Sequence, residues 1–206
     1  MIPHKYLLLI YQVPSQPSAA RVGIWRELKR LGGLYLQQSV CVFPHTEALL
    51  AALQKITERI DELNGTYHLL PLTTLSEEEE TKIIDGFIAQ ANLQYDEIIE
   101  NCEVNFKKEI EFETFRENFT YAEAEEIHQE LDKIQRWYER VFERDWFGAG
   151  QSDDAKKSIE ACEKLLETFE EKVFLTQEAD ESSTSPESSE KKNHLHPRRL
   201  ERRHSS

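Results

Sequence analysis

The chemistry this sequence offers lies in a few charged side chains. Four cations, Arg21, Arg26, Lys29 and Arg30, fall within one ten-residue stretch. At 100° per residue Arg26, Lys29 and Arg30 share one side of a helix with Arg21 at their edge, while Trp25 and Leu28 are expected to turn inward. Such a strip can give paired hydrogen bonds to DNA or RNA phosphates, or hold a small oxyanion. The plainer alternative is a solvated face, or one docked on acidic helices.

The carboxylates Glu123, Glu126 and Glu130 flank His128, but the Glu-x-x-His spacing from Glu125 to His128 occurs once. Di-iron bundles repeat it on two helices and add inward glutamates. No metal site is expected. Cys41, Cys102 and Cys162 show no zinc spacing and fall on the apolar side of their local patterns, so buried free thiols are expected. His4, His45 and His68 are isolated. A Gly-rich phosphate loop, a nucleophile elbow and a Ser/His/Asp or Cys/His set are all missing, so neither catalysis nor a cofactor is expected.

The elements that must position these residues change character at about residue 76. The apolar run Tyr6–Val13, stopped by Pro14 and Pro17, reads as a buried strand. Ser18 can cap a helix to Leu31 with Val22, Trp25, Leu28 and Leu31 three apart, stopped by Gly32-Gly33. Strands at Leu34–Gln37 and Ser39–Phe43 follow. Thr46 and Glu47 then open a helix with Leu49, Leu53, Ile56, Ile60 and Leu63 on one face, and Thr66–Leu75 supplies a last strand. That order predicts an α+β fold with a ferredoxin-like βαββαβ unit over residues 1–76.

Beyond it the pattern is helical. Ser76 with Glu79, and Thr120 with Glu123 behind Phe119, are capping boxes, and Ser152 caps a third helix. Apolar stripes run through Ile84, Ala91, Tyr95, Ile98, Cys102 and Phe106, then Ile127, Leu131, Ile134, Tyr138 and Val141, then Ile159, Cys162, Leu166, Phe169 and Val173. An antiparallel bundle or hairpin over residues 77–177 is expected. In the turn Arg144-Asp145-Trp146-Phe147-Gly148, Asp145 should accept backbone N–H groups and Arg144 the last helix carbonyls, with Trp146 and Phe147 plugging the junction to the sheet. Residues 178–206 are nearly devoid of apolar side chains and should be disordered. Their His194, His196, Arg198, Arg199, Arg202, Arg203 and His204 could add non-specific affinity for nucleic acid.

Charge divides the same way. Residues 1–76 carry 7 basic and 5 acidic side chains, residues 77–180 carry 12 and 30, and the whole chain has a formal charge of -14. Attraction to a polyanion must therefore come from the first unit or the tail. A +2 unit needs two copies for useful affinity, so a homodimer through a sheet edge or the helix seams is expected. The opening apolar run is too short to span a membrane and lacks the flanks of a secretory signal, which points to the cytoplasm.

The stretches Leu7-Leu8-Leu9-Ile10-Tyr11-Gln12-Val13-Pro14, Pro17-Ser18-Ala19-Ala20-Arg21-Val22, Trp25-Arg26, Leu28-Lys29, Leu31-Gly32-Gly33 and Val42-Phe43-Pro44 resemble the start of ChrB chromate-resistance proteins. So do Tyr95, Asn118-Phe119-Thr120, Ala122-Glu123, Glu126, Leu131, Trp137 and Arg144 to Gly148, giving a likeness over residues 5–175. The resemblance implies a bacterial, chromate-responsive transcriptional regulator or accessory module, with chromate as a candidate oxyanion effector. Full ChrB proteins carry a further C-terminal domain where this chain has its polar tail, so a free-standing relative is expected. The first half alone is also similar to the middle domain of the repressor PaaX and to small CRISPR spacer-acquisition nucleases. Those nucleases need an aspartate near Gln12, and a neutral amide is a poor ligand for a hard cation, so with Gln37 and Gln38 it reads as structural. The alternative to a regulator is a protein-interaction module that uses its acidic helices and binds no nucleic acid, and a third is an enzyme whose site forms only between two copies.

Overall fold

Two kinds of apolar periodicity produce two packed units in the computed structural model, which describes residues 5–16, 18–73 and 75–183. The first unit comprises β1 (Tyr6–Gln12), α1 (Ser18–Arg30), β2 (Leu34–Gln37), β3 (Val40–Pro44), α2 (Glu47–Glu62) and β4 (Thr66–Leu72). The strands form one sheet in the order β2-β3-β1-β4, each neighbouring pair antiparallel. In the centre, Leu9 of β1 lies between Cys41 of β3 and Leu69 of β4.

Because side chains alternate along a strand, the two sheet faces make separate cores. Leu7, Leu9 and Tyr11 meet Ile24 and Leu28 of α1 and Leu53, Ile56 and Ile60 of α2. Tyr6 and Val42 point the other way, onto Ile83 and Phe87, with Trp146 and Phe147 packed alongside. The apolar run at the start of β1, Tyr6 to Leu9, thus reflects burial on both faces, whereas Ile10 on the second face is exposed.

The orientation of α1 differs from the expectation. Its buried residues are Ile24 and Leu28, whereas Val22 and Trp25 face outward, Trp25 being 47% exposed. Steps of three residues drift by about 60° each around an α-helix, so Val22, Trp25, Leu28 and Leu31 cannot all share one face. The four-residue step from Ile24 to Leu28 stays on the sheet. The helix ends in a Schellman motif: Gly33 N donates to Leu28 O (3.0 Å) and Gly32 N to Lys29 O (2.9 Å), with Gly32 at φ 79°.

Three helical rods form the second unit. The first runs unbroken through α3 (Glu77–Glu100), a π-helical segment (Asn101–Phe106) and α4 (Lys107–Phe115); α5 (Tyr121–Phe142) and α6 (Ser152–Ser183) complete it. Cys102, Phe106 and Ile110 are all buried four residues apart, a spacing that drifts by about 40° per step in an α-helix; the wider π turn keeps them on one side. The three rods share a core that includes Tyr95, Ile98, Cys102, Ile127, Leu131, Ile134, Ile159, Cys162, Leu166 and Phe169.

Ser76 and Thr120 cap as their sequences predict, accepting from Glu79 N and Glu123 N at 3.2 Å. Two expectations are corrected. Ile84 is only half-buried; Ile83 and Phe87 take its place, because the start of α3 leans on the sheet. Ser152 is the first residue of α6, and its hydroxyl meets Tyr138 Oη at 3.3 Å, while Asn92 Oδ1 holds Gln151 N at 3.1 Å. Helix α6 also runs past residue 177. The expected disorder from there to residue 206 and the tail cations lie, from residue 184 on, outside the described residues.

Candidate functional site

The four cations of the α1 strip do not act as one surface. Arg21, Arg26 and Arg30 are exposed and have no ion-pair partner among the described residues. Arg21 and Arg26 stand beside exposed Val22 and Trp25 on the outer side of the helix. Next to them Arg21, Val22 and Trp25 border a shallow depression with Tyr35, Gln38 and Ser39. Lys29 is half-buried and engaged: its Nζ donates to Gln90 Oε1 (3.2 Å) and lies 5.3 Å from the centre of the Tyr35 ring. Glu27, on the opposite flank, is ion-paired to Arg59 of α2.

Arg30 borders a second feature, a groove of about 890 Å³ between α1, α2, α3 and α5. Arg140 and Arg144 of the rods line it together with Lys29 and Arg30. The Arg144 guanidinium fixes the geometry. It donates to the carbonyls of Lys29 (3.3 Å), Arg30 (3.2 Å) and Arg140 (2.6 Å) and to Gln94 Oε1 (2.9 Å). Burial, then the charge of Arg140, lower its pKa. Trp146 lies under Gly32, and its ring meets Phe87 edge-on at 5.6 Å.

The turn after α5 performs the roles its sequence suggests. Asp145 accepts from Ala149 N (2.9 Å) and from Tyr95 Oη (3.3 Å), and burial above all pushes the Tyr95 hydroxyl up to about 12. Arg144 serves the end of its own helix at Arg140, and it also serves the end of α1, which the sequence did not suggest. The arginine row Arg136, Arg140, Arg144 was the available signal: like charges one turn apart repel, and Arg136 has Asp132 at 3.9 Å whereas the other two form no ion pair among the described residues.

Among the residues that could suggest a metal, His128 is exposed near Glu170 (3.3 Å) and Asp132 (3.9 Å). The carboxylates that do converge are Glu109, Glu113 and Glu123, with ligand atoms within 4.8 Å of one another. Glu113 is buried, and its charge is met by Asn118 Nδ2 (2.6 Å) and Arg116 (3.2 Å). Burial and the charges of Glu113, Glu126 and Glu109 raise the pKa of Glu123. Distant in sequence, Cys102 and Cys162 meet in the core, Cys162 Sγ donating to Cys102 O at 3.8 Å; all three cysteines are buried and free. Gln12, Gln38 and His68 line a shallow depression on the sheet with no carboxylate among its lining residues.

The family model described as "Protein ChrB, N-terminal" matches residues 21–180, most of both units. The chain belongs to this family. The match embraces all four α1 cations, the groove arginines and the Arg144–Gly148 turn, so the ChrB N-terminal region comprises the sheet unit from α1 onward together with the three rods. No curated protein and no solved structure shows a significant match. No helix among the described residues is long and apolar enough to cross a membrane.

Proposed function

We propose that this ChrB-family chain is a transcriptional regulator or accessory module of the chromate-resistance type, non-enzymatic and cytoplasmic, which contacts DNA as a homodimer through the outer face of α1. The observation that carries this reading is that Arg21 and Arg26 stand exposed, with no ion-pair partner among the described residues, on the unit with net positive charge, although the protein has carboxylates in excess. Exposed Trp25 adds a flat apolar surface beside those guanidinium groups. Chromate is the effector the family relationship suggests. We also read the sheet, from its β2-β3-β1-β4 order, as ferredoxin-like, and the rods as an antiparallel bundle.

Fluorescence anisotropy with the gene's own upstream DNA, across a salt series and with and without chromate, tests the reading. Affinity should fall steeply with salt. Arg21→Glu with Arg26→Glu should weaken binding at least about tenfold, since two phosphate contacts become repulsions. Retention of full affinity by that double variant would refute the DNA face.

A second reading, a protein-interaction module, is favoured by one observation. Glu109, Glu123, Glu126 and Glu130 line an open groove of about 650 Å³ in which Lys133 is the one cation among the lining residues. A basic protein partner held there would be kept by the Arg21→Glu/Arg26→Glu variant.

A further inference from the structure

We propose that the groove between the sheet unit and the rods binds a phosphorylated small molecule with a flat apolar body, of about nucleotide size. The inference does not rest on DNA binding. It starts from a charge anomaly: residues 77–180 hold 30 carboxylates and 12 cations, yet the groove against them is lined by Lys29, Arg30, Arg140 and Arg144 with Glu143 as the single acidic lining residue. Elsewhere on the rods, Lys82, Lys107, Arg116, Lys133, Arg136 and Lys157 each pair with a carboxylate within one turn, and the cations without such a pair among the described residues, Lys108, Lys156, Lys164 and Lys172, line no groove with other cations. Arg140 has no such partner among the described residues, nor does Arg30, which α1 brings to the same groove. Gathering four cations around a single carboxylate costs free energy, and a bound polyanion offsets that cost.

The cations divide into supports and ligands. Arg144 spends its donors on the carbonyls of Lys29, Arg30 and Arg140 and on Gln94, and Lys29 is engaged by Gln90 and Tyr35. These bonds hold α1 against the rods and fix the groove's width before any ligand arrives. The guanidinium groups of Arg30 and Arg140 are left to donate to phosphate oxygens in paired fashion.

The remaining lining suits an apolar body rather than inorganic phosphate alone. Leu31, Leu49 and Trp146 contribute to the floor, and Leu93, 65% exposed, projects at the rim. The volume falls in the range of small-molecule clefts, and the position between two packed units is one such clefts favour.

Isothermal titration of the full chain at low salt with ADP, inorganic phosphate and adenosine tests this, with Trp fluorescence as a second readout. ADP should bind saturably at one site per chain, and more tightly than phosphate or adenosine. Arg140→Ala should weaken ADP at least about tenfold, and Arg30→Ala similarly. Arg136→Ala, one turn away, and the Arg21→Glu/Arg26→Glu pair should leave ADP binding unchanged, which separates this site from the DNA face. Circular dichroism checks that each variant keeps its helices; Arg30 and Arg140 are exposed, so folding should survive. Absence of saturable ADP binding, or equal losses in Arg136→Ala and Arg140→Ala, overturns the site. Phosphate binding as tight as ADP overturns the apolar half of the assignment.

Discussion

Gly32 shows how much one residue can fix. It adopts φ 79° at the end of α1, and a Cβ there would lie 2.8 Å from the Trp146 ring and 3.3 Å from Arg144 Cβ. The same position therefore stops the helix and lets the rods approach it. Gly32→Ala should cost about 1–3 kcal/mol, from left-handed backbone strain and the displaced indole together. Urea unfolding checks this, and a loss under about 0.5 kcal/mol would mean that the contact relaxes freely. Arg26 stands at the opposite extreme. No ion pair or side-chain hydrogen bond among the described residues uses its charge, so it is the residue at which a change should alter binding and leave stability almost intact.

At the scale of elements, short-range rules decide where helices begin and stop. Helices α1, α2 and α4 all end in the same doubly hydrogen-bonded turn, with Gly32, Asn64 and Glu117 in the left-handed position. Glycine and asparagine suit that backbone, but glutamate does not. In α4 the turn forms because Asn118 N reaches Glu113 O (3.0 Å) while its side chain holds the Glu113 and Glu123 carboxylates. Glu117→Gly should therefore stabilise the protein by about 0.5–1 kcal/mol, which differential scanning calorimetry would read as a rise in Tm of roughly 1–4 °C. An unchanged or lowered Tm would mean that Glu117 itself makes a compensating contact. The π-helical segment belongs to this scale too: it lets one rod keep Cys102, Phe106 and Ile110 in the core.

Across the whole molecule, the core under α1 and α2 and the core of the rods are bridged by a smaller third core, where Tyr6 and Val42 of the sheet meet Ile83 and Phe87 of α3, with Trp146 and Phe147 packed against it and Arg144 alongside. Arg144→Met keeps the stem but leaves the Lys29 and Arg30 carbonyls and Gln94 without their donor. It should cost about 2–3 kcal/mol, since hydrogen bonds from a charged donor at a half-buried site are lost. Hydrogen exchange should speed up in residues 28–33 and 90–94 and change little in the centre of β1. Uniform acceleration over both units would show that the cores unfold together without this strut. The same turn sets the groove, so Arg144→Met should also weaken ADP binding even though Arg30 and Arg140 remain.

The sequence by itself determined what depends on neighbours in the chain. The order of strands and helices, the Ser76 and Thr120 caps, the stripes that fill the rods and the buried state of Cys41, Cys102 and Cys162 all follow from local periodicity and hydrogen bonding within a few residues. The family likeness was legible too, because it is carried by the same stretches. Only the tertiary structure decided which side of α1 faces the sheet, since Val22, Trp25, Ile24 and Leu28 offer two apolar stripes and the one with four-residue spacing is the one that packs. It alone split the basic strip, sending Arg21 and Arg26 outward and turning Lys29 and Arg30 toward Arg140 and Arg144 more than a hundred residues later. Meetings such as that one, or of Cys102 with Cys162, depend on how rigid rods stack, and no local pattern encodes that distance.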